Sequence, residues 1–312
     1  MSVSRVLGAS VPSIRRSFAL ASSAGIVIGL GGLIVPPVAS ATTPVQVTTT
    51  GDSGPGSLRQ ALATAVDGDT ITFAPSVTGT INLLSPLTAN SNVTVTGPGA
   101  NALTIDGGNQ VQDLVVGGGS GTVTVSGLTF THGSGENGGA IQDDAGRGLS
   151  LTDVVVSNST ATGNGGGIYL SGPQNLTLID STVSGNSAAT GGGIYADLPS
   201  SGALVVEGST INGNTATTGQ GAGIDAAGRQ TVSAGLTRSH GAEGPNAVAP
   251  PPPPPPTSVG VVVITTSTIA DNTASATNAA LFLHRFDVNS RLASDTIADN
   301  KATGLTLDSP LT

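Results

Sequence analysis

The side chains that could bind or transform a ligand are few in this sequence, and several of them share one repeated position. The 312 residues include two tyrosines, no cysteine and no tryptophan. Tyr169 and Tyr195 each follow a Gly-Gly-Gly-Ile segment directly, and Asp225 follows the similar segment Gly-Ala-Gly-Ile. Asp197 lies two residues beyond Tyr195. Tyrosines offer rings and hydroxyl groups for binding, and paired carboxylates are the groups that cleave glycosidic bonds.

Side chains alternate between the two faces of a β-strand, so the residue after each of these inward isoleucines points outward. If these strands stack on one another, the outward side chains at equivalent positions form two columns. The first column comprises Gln142, Tyr169, Tyr195, Asp225 and Phe282, and the second comprises Asp144, Ser171, Asp197 and Ala227. Two interpretations of the tyrosine pair stay open: a stacked aromatic ladder that stabilises the coil, and a platform for a sugar.

The carboxylates define a catalytic hypothesis. Asp197 and Asp225 lie one strand and two residues apart, which strand geometry converts to roughly 8 Å. Inverting glycosidases separate their two carboxyl groups by about 6.5–9.5 Å. The candidate ligand-binding residues are Tyr169, Tyr195, Asp197 and Asp225, and the catalytic alternative uses Asp144, Asp197 and Asp225. Asp143 and Asp144 are too few acids to hold calcium, so neither a metal nor another cofactor is predicted.

A sequence repeat predicts the elements that position these residues. Asn158, Asn186 and Asn214 are 28 residues apart, and so are Asn272 and Asn300. The isoleucines of the glycine-rich segments, at 141, 168 and 194, are 27 and 26 apart. A period of this length with short β segments predicts one turn of a single-stranded, right-handed parallel β-helix, an all-β solenoid. Leucine-rich repeats need a leucine framework that is missing, and β-sandwiches lack such a period.

The repeat also assigns structural roles. Its apolar positions are predicted to point inward and to stack on one another; they are Val156, Val183, Ile211, Ile269 and Ile297. The five asparagines are predicted to form a hydrogen-bonded ladder at a turn that tolerates left-handed backbone. His132 lies 26 residues before Asn158 and is interpreted as the end of that ladder rather than a catalytic base.

One helix is predicted, over Ser57 to Ala65. Ser57 and Gln60 form a capping box, and Leu58 and Leu62 fall on one face. An amphipathic helix ahead of a strand repeat is interpreted as a cap that covers the end of the core. The predicted organisation is a signal peptide over 1–41, a lead strand and capping helix over 42–69, and a β-helix over 70–312.

The first 41 residues have the features of an export signal: Arg5, Arg15 and Arg16, an apolar run, and Ala39-Ser40-Ala41 as a cleavage site. The Arg15-Arg16 pair is similar to the twin-arginine signal, with the general secretory route as an alternative. An uncleaved membrane anchor is the other interpretation. The expected location is therefore outside the cell or on its surface.

Loss of the signal would leave seven basic residues against 19 acidic ones, a net charge of −12. Nucleic acid is excluded as a partner, because phosphate neutralisation needs basic clusters. No second long apolar stretch follows, so no membrane span is expected in the mature chain.

The repeat is interrupted over 226–260, a segment that carries seven consecutive prolines from Pro250 to Pro256. Such a run forms a polyproline II rod that cannot join a β ladder. The whole segment is interpreted as a long loop that projects from a single turn of the solenoid. The loop either docks on the aromatic groove of a polyproline-recognising partner or is an insertion without a partner.

The pairing of Gly138-Gly139-Ala140-Ile141 and its successors with an apolar-x-x-Asn segment resembles the repeats of bacterial polymorphic outer-membrane proteins. More broadly, the chain is similar to right-handed β-helix proteins of the pectate-lyase-like class, over roughly Thr70 to Leu307. The resemblance implies the fold and a surface or adhesive role that involves a polysaccharide or a cell-surface component.

Enzymes of that class use the outer face of one sheet for sugar chains. Asp143-Asp144 and Ser239-His240-Gly241 look like two polygalacturonase motifs, but the partner motifs are missing and the second falls in the proline-rich insert. The sequence therefore favours a structural or adhesive protein, with a polysaccharide lyase or glycoside hydrolase as the alternative.

Overall fold

The computed structural model describes residues 44–144, 146–172, 174–199, 202–229, 260–274, 279–284, 290–301 and 303–308. Over these residues the chain winds as a right-handed parallel β-solenoid of about eight turns with one short α-helix, which confirms the predicted fold class. The strands form one sheet of nine, two of eight and one of four, named here sheets A, B, C and D. Successive turns visit the sheets in the order A, B, D, C.

The nine strands of sheet A are β1 (Val45–Val47), β2 (Thr70–Phe73), β5 (Thr94–Thr96), β8 (Thr122–Ser126), β12 (Gly148–Thr152), β16 (Leu176–Ile179), β20 (Ala203–Glu207), β24 (Val261–Thr265) and β27 (Arg291–Ala293). Those of sheet B are β3 (Gly79–Asn82), β6 (Leu103–Asp106), β9 (Thr129–Thr131), β13 (Val155–Ser157), β17 (Thr182–Ser184), β21 (Thr210–Asn212), β25 (Thr268–Ala270) and β28 (Thr296–Ala298). Those of sheet C are β4 (Leu87–Ala89), β7 (Leu114–Val116), β11 (Ile141–Asp143), β15 (Ile168–Ser171), β19 (Ile194–Pro199), β23 (Ile224–Arg229), β26 (Ala279–His284) and β29 (Thr303–Asp308). Those of sheet D are β10 (Ser134–Gly135), β14 (Thr160–Ala161), β18 (Ser187–Ala188) and β22 (Thr215–Ala216).

The core is a set of apolar stacks that run along the solenoid. In sheet B, Val156 pairs with Val183, Val183 with Ile211, and Ile211 with Ile269. These side chains are buried, and Ile297 packs against them half-buried at the last strand. The inward stack is therefore confirmed, and it is stabilised because each side chain removes apolar surface of its neighbour from water.

The predicted helix is present as α1 (Leu58–Thr64). Ser57 is its N-cap, and the Ser57 side chain accepts a hydrogen bond from the Gln60 amide at 3.2 Å. The Gln60 side chain accepts from the Gly56 amide at 2.8 Å, one residue earlier than a standard capping box. Buried Leu58 and Leu62 join the core cluster, and the helix contacts β1 and β4, the first strands of sheets A and C. This is the place predicted for a cap.

The asparagine ladder exists, but its first members differ from the prediction. The Asn186 side-chain amide donates to Asn214 Oδ1 at 3.0 Å, and Asn214 donates in the same way to Asn272. Asn272 donates to Asn300 at 3.1 Å. One turn earlier, Ser159 and not Asn158 takes the ladder position, because the Ser159 amide donates to Asn186 Oδ1.

Asn158 and His132 instead occupy the neighbouring turn position with left-handed backbone, at φ of 51° and 52°. The interpretation of His132 as the end of the ladder is therefore wrong, because His132 occupies this neighbouring position and not the ladder position. Its Nδ1 lies 3.2 Å from Asp106 Oδ2, so its side chain pairs with a carboxylate. The repeat length varies by one residue between turns, and the hydrogen-bonded register decides which residue falls on the ladder.

A second polar ladder, between sheets A and B, was not predicted. Ser181, Ser209 and Ser267 are buried, and each hydroxyl accepts a hydrogen bond from the amide of the previous turn, at 3.1–3.3 Å. Each hydroxyl also donates to the carbonyl two residues before it. The serines therefore satisfy backbone groups inside a buried corner, and Asp295 continues the ladder one turn later, where its Oδ1 accepts from the Ser267 amide.

The proline-rich interruption follows β23, which runs through Arg229 although the predicted loop began at 226. In sheet A, the strand after the interruption pairs directly with the strand before it, Ala203 with Val261. Residues 230–259, with Pro250 to Pro256, and the predicted signal peptide over 1–41 lie outside the described residues. Among the described helices, none is long and apolar enough to cross a membrane.

Candidate functional site

The first outward column on sheet C forms as predicted. Gln142 pairs with Tyr169, Tyr169 with Tyr195, Tyr195 with Asp225, and Asp225 with Phe282. The side chains of the residues before them, such as Ile168 and Ile194, are fully buried. The alternation of β-strands therefore decides which residues reach the surface of this sheet.

The second column also follows the prediction, with Ser171 paired to Asp197 and Asp197 to Ala227. His284 pairs with Ala227 and extends the column by one strand. Asp144 is exposed at the end of β11, where its Oδ2 accepts a hydrogen bond from the Gln142 side chain at 2.8 Å.

The two tyrosine rings are stacked. Their centroids are 5.5 Å apart and their planes differ by 7°. Each ring covers one face of the other, and both residues are half-buried, so the stacked faces are closed to a ligand. This geometry is that of the predicted aromatic ladder. A sugar would meet the hydroxyls and edges of the pair rather than two open ring faces.

The glycine-rich segments position the column by close approach. Gly165, Gly191 and Gly221 have left-handed backbone, with φ between 61° and 67°. A Cβ atom at Gly221 would lie 2.5 Å from the Asp225 Cβ, and one at Gly191 would lie 2.7 Å from the Ile194 carbonyl oxygen. Any side chain at these positions would push the turn away from the strand that follows.

The two inner acids of the site are buried although they lie on outward columns. Asp197 is 4% exposed and Asp225 is 6% exposed. Asp225 is a short side chain flanked in its column by Tyr195 and Phe282. Burial raises the pKa of Asp225 to about 7, because loss of water disfavours its charged form. Asp225 can therefore gain or lose a proton near neutral pH.

Asp143 and Arg147 do not join this site. Asp143 pairs with Leu170 on an inward position and is fully buried, and Gln174 Nε2 lies 3.4 Å from its Oδ1. Arg147 is also buried and donates to the carbonyls of Asn90, Gly117, Gly118 and Ser120 and to the Asn92 side chain. The guanidinium therefore ties three successive turns together. Within the described part of the chain, no three His, Asp or Glu side chains are grouped to hold a metal ion.

Asp113 is a further acidic residue of interest that was not identified from the sequence. Asp113 precedes β7, is fully buried, and neither of its oxygens accepts a well-formed hydrogen bond from the described residues. Burial first, and then the nearby Asp106 carboxylate, raises the pKa of Asp113 to about 9, and a weak contribution from the Gly107 amide opposes them. Its register partner Ala140 carries no polar side chain, so no local pattern marked the position.

The architecture just described, parallel strands wound into a solenoid with polar ladders at its corners, defines the class of β-helix proteins. Residues 88–242 match the family described as right handed beta helix region, and the chain is a right-handed parallel β-helix protein. No curated protein and no solved structure gives a significant match. The similarity to polymorphic outer-membrane proteins stays a prediction.

Proposed function

We propose that the protein is an exported β-helix with a structural or adhesive role, and that the outer face of sheet C binds a polysaccharide or another glycan-bearing surface. The observation that carries the proposal is the column in which the stacked pair Tyr169 and Tyr195 adjoins Asp225. The predicted signal peptide and the acidic composition support a location outside the cell.

The geometry of the face suits a linear ligand. Polar and aromatic groups repeat at every strand, about 4.8 Å apart along the axis. Gln142, Tyr169 and Tyr195 are each half-buried, and the Gln142 amide is held between the side chains of Gln112 and Asp144, so the row is fixed before a ligand arrives. A rigid solenoid presents such a row with little loss of side-chain entropy on binding, and this preorganisation favours affinity.

Glycan-array binding of the full chain tests the proposal, followed by titration with Tyr195→Ala. Loss of a hot-spot aromatic is expected to weaken binding by about tenfold or more, equivalent to about 1.4 kcal/mol. Val115→Ala is the matched control, because Val115 lies in the same column two strands before Tyr169. Binding that Tyr195→Ala leaves unchanged, or no binding to any glycan, would contradict the proposal.

A second candidate is an inverting glycoside hydrolase, favoured by the raised pKa of Asp225 beside Asp197. In this reaction Asp225 would donate its proton to the glycosidic oxygen as the bond to the anomeric carbon breaks. Asp197 would take a proton from the water that attacks the same carbon from the opposite side. The Asp225 proton is lost as pH rises through about 7, so turnover should fall above that pH.

Release of reducing ends from neutral and acidic polysaccharides tests this alternative. Asp225→Asn should lower turnover by about 10²–10⁴-fold, the usual contribution of a general acid. Asp153→Asn, which alters an exposed carboxylate between β12 and β13 and outside sheet C, is the comparison. If no polymer is cleaved, the enzyme hypothesis is wrong. If glycans bind without being cleaved, the adhesive role stands.

A further inference from the structure

A polar notch lies at the corner between sheets C and A, outside the two columns. Its cavity volume is about 240 Å³. The lining residues are neutral, namely Ser120, Gly121, Thr122, Gly146, Gly148, Gln174 and Asn175. Ser120, Thr122 and Asn175 are exposed, so the notch is reached from solvent.

The notch exists because Gly148 interrupts an outward column of sheet A. Gly148 pairs with Thr122, and Leu149 pairs with Leu176, so Asn175 is the neighbour of Gly148 on its other side. The strands that carry Thr122 and Asn175 are therefore two strand spacings apart, about 9.5 Å, and the strand between them has no side chain at Gly148. The Thr122 hydroxyl borders the space that this leaves, 3.1 Å from where a Cβ of residue 148 would lie. A ring-sized molecule can lie in this gap and approach the backbone.

The chemistry of the lining selects the ligand. Hydroxyl and amide groups both donate and accept hydrogen bonds, which matches the hydroxyls of a sugar. The described lining residues offer an anion no cation, and the buried Arg147 guanidinium already donates to carbonyls and to Asn92 and lies 3.8 Å from Asp67 Oδ1. The volume is below the roughly 300–1,000 Å³ of drug-sized sites, so one ring fits and a longer chain must extend outside.

Gln174 supplies an independent observation. It is 6% exposed, and its Oε1 accepts no hydrogen bond from the described residues. Its Nε2 donates to the Ser171 carbonyl at 3.1 Å. A buried acceptor without a donor costs free energy. A ligand hydroxyl that entered the notch would supply that donor after a rotation of the amide.

We propose that this notch binds a single neutral sugar unit, with Thr122, Gln174 and the Nδ2 group of Asn175 as its hydrogen-bonding groups and Gly148 as the floor. The Asn175 Oδ1 is held by the Ala203 amide, which donates to it at 2.9 Å. The site is separate from the tyrosine column, and the inference rests on the proposed function only for the class of ligand. A glycan bound here would lie at a sheet corner, next to the ends of β11 at Asp143 and of β15 at Ser171.

Titration with methyl glucoside and methyl galactoside, followed by ligand-observed NMR, tests the proposal on the full chain. Gly148→Val fills the gap: a Cβ there would lie 3.1 Å from Thr122 Oγ1 and no closer than 3.4 Å to backbone, so the strand can keep its course. Gly148→Val should weaken binding at least tenfold. Ser150→Val, at the next outward position of β12, is the matched control and should bind as the unaltered chain does.

Thr122→Val removes one hydroxyl without changing the shape and should weaken binding about two- to tenfold, the value of one hydrogen bond. Galacturonate and glucosamine are the charged comparisons and should bind more weakly than the neutral glycosides. No binding of either neutral glycoside, equal binding by Gly148→Val, or preference for a charged sugar would each overturn the proposal. Glycan binding that depends on Tyr195 and not on Gly148 would overturn the notch alone and leave the proposed function standing.

Discussion

Asp113 is a buried carboxyl group that is expected to destabilise the folded protein. Its register equivalents in later turns of sheet C are Ala140, Gly167 and Gly193, none of which carries a polar side chain. Among the described residues at this register position, Asp113 alone carries a carboxyl group, and the Asp106 carboxylate lies nearby. A buried polar group without a partner costs about 1–3 kcal/mol, so this position is a local weakness.

The raised pKa of Asp113 determines whether the free energy of unfolding rises or falls with pH. In the unfolded chain an aspartate titrates near pH 4, whereas folded Asp113 titrates near 9. Between these values the folded state binds one more proton, so its contribution to the free energy of unfolding is full below pH 4 and is lost as pH rises to about 9. Asp225 acts in the same direction, up to a pH of about 7.

Asp113→Ala is therefore expected to stabilise the protein by about 1–3 kcal/mol at pH 8, and by less as pH approaches 4. Chemical denaturation at several pH values measures the change. Asp144→Ala is the control, because it removes an exposed carboxylate instead of a buried one. A loss of stability at pH 8 would show that the carboxyl group has a stabilising partner.

At the scale of the element, the polar ladders hold the corners of each turn. Asn214 Oδ1 accepts from the Asn186 side chain and backbone amide, and the Asn214 side chain donates to the Val183 carbonyl at 3.0 Å. Every bond lies in the buried corner, where its loss leaves backbone groups without partners. Asn158 lies one position off the ladder, and its left-handed backbone is the feature that matters there.

A pair of substitutions separates these roles. Asn214→Ala should lower the free energy of unfolding by roughly 2–5 kcal/mol, because it removes several buried hydrogen bonds. Asn158→Gly should change it by less than about 1 kcal/mol or raise it, since glycine adopts a positive φ without strain. Thermal and urea unfolding measure both. Equal losses of unfolding free energy at the two positions would show that Asn158 does contribute to the ladder.

At the scale of the whole molecule, each turn contacts its two neighbours, and stability is a sum of local terms. Ile211 stacks between Val183 and Ile269 and touches no strand further along sheet B. The architecture also explains why a chain with 46 glycines and 2% aromatic residues can fold. The interior is one or two side chains wide, and Val, Ile, Leu and Ala fill it.

Ile211→Ala should therefore cost about 2–5 kcal/mol, and the loss should stay near the altered turn. Hydrogen exchange measured by mass spectrometry should show reduced protection in β17, β21 and β25 while β6 and β9 keep theirs. A uniform fall in protection across sheet B would instead show that the solenoid unfolds as one cooperative unit.

The sequence by itself determined the solenoid, because the inward positions from Val156 to Ile297 recur at a nearly constant period and the glycines fix the turns. It also determined the outward columns with Tyr169, Tyr195 and Asp225, since strand alternation is a local property. Tertiary structure decided which residue falls on each ladder, as at Ser159 rather than Asn158, because turns differ by one residue and only interstrand hydrogen bonds set the register. It also decided the burial of Asp113 and Asp225 and the gap over Gly148, because these depend on side chains from neighbouring turns that are 26 or more residues away in the chain.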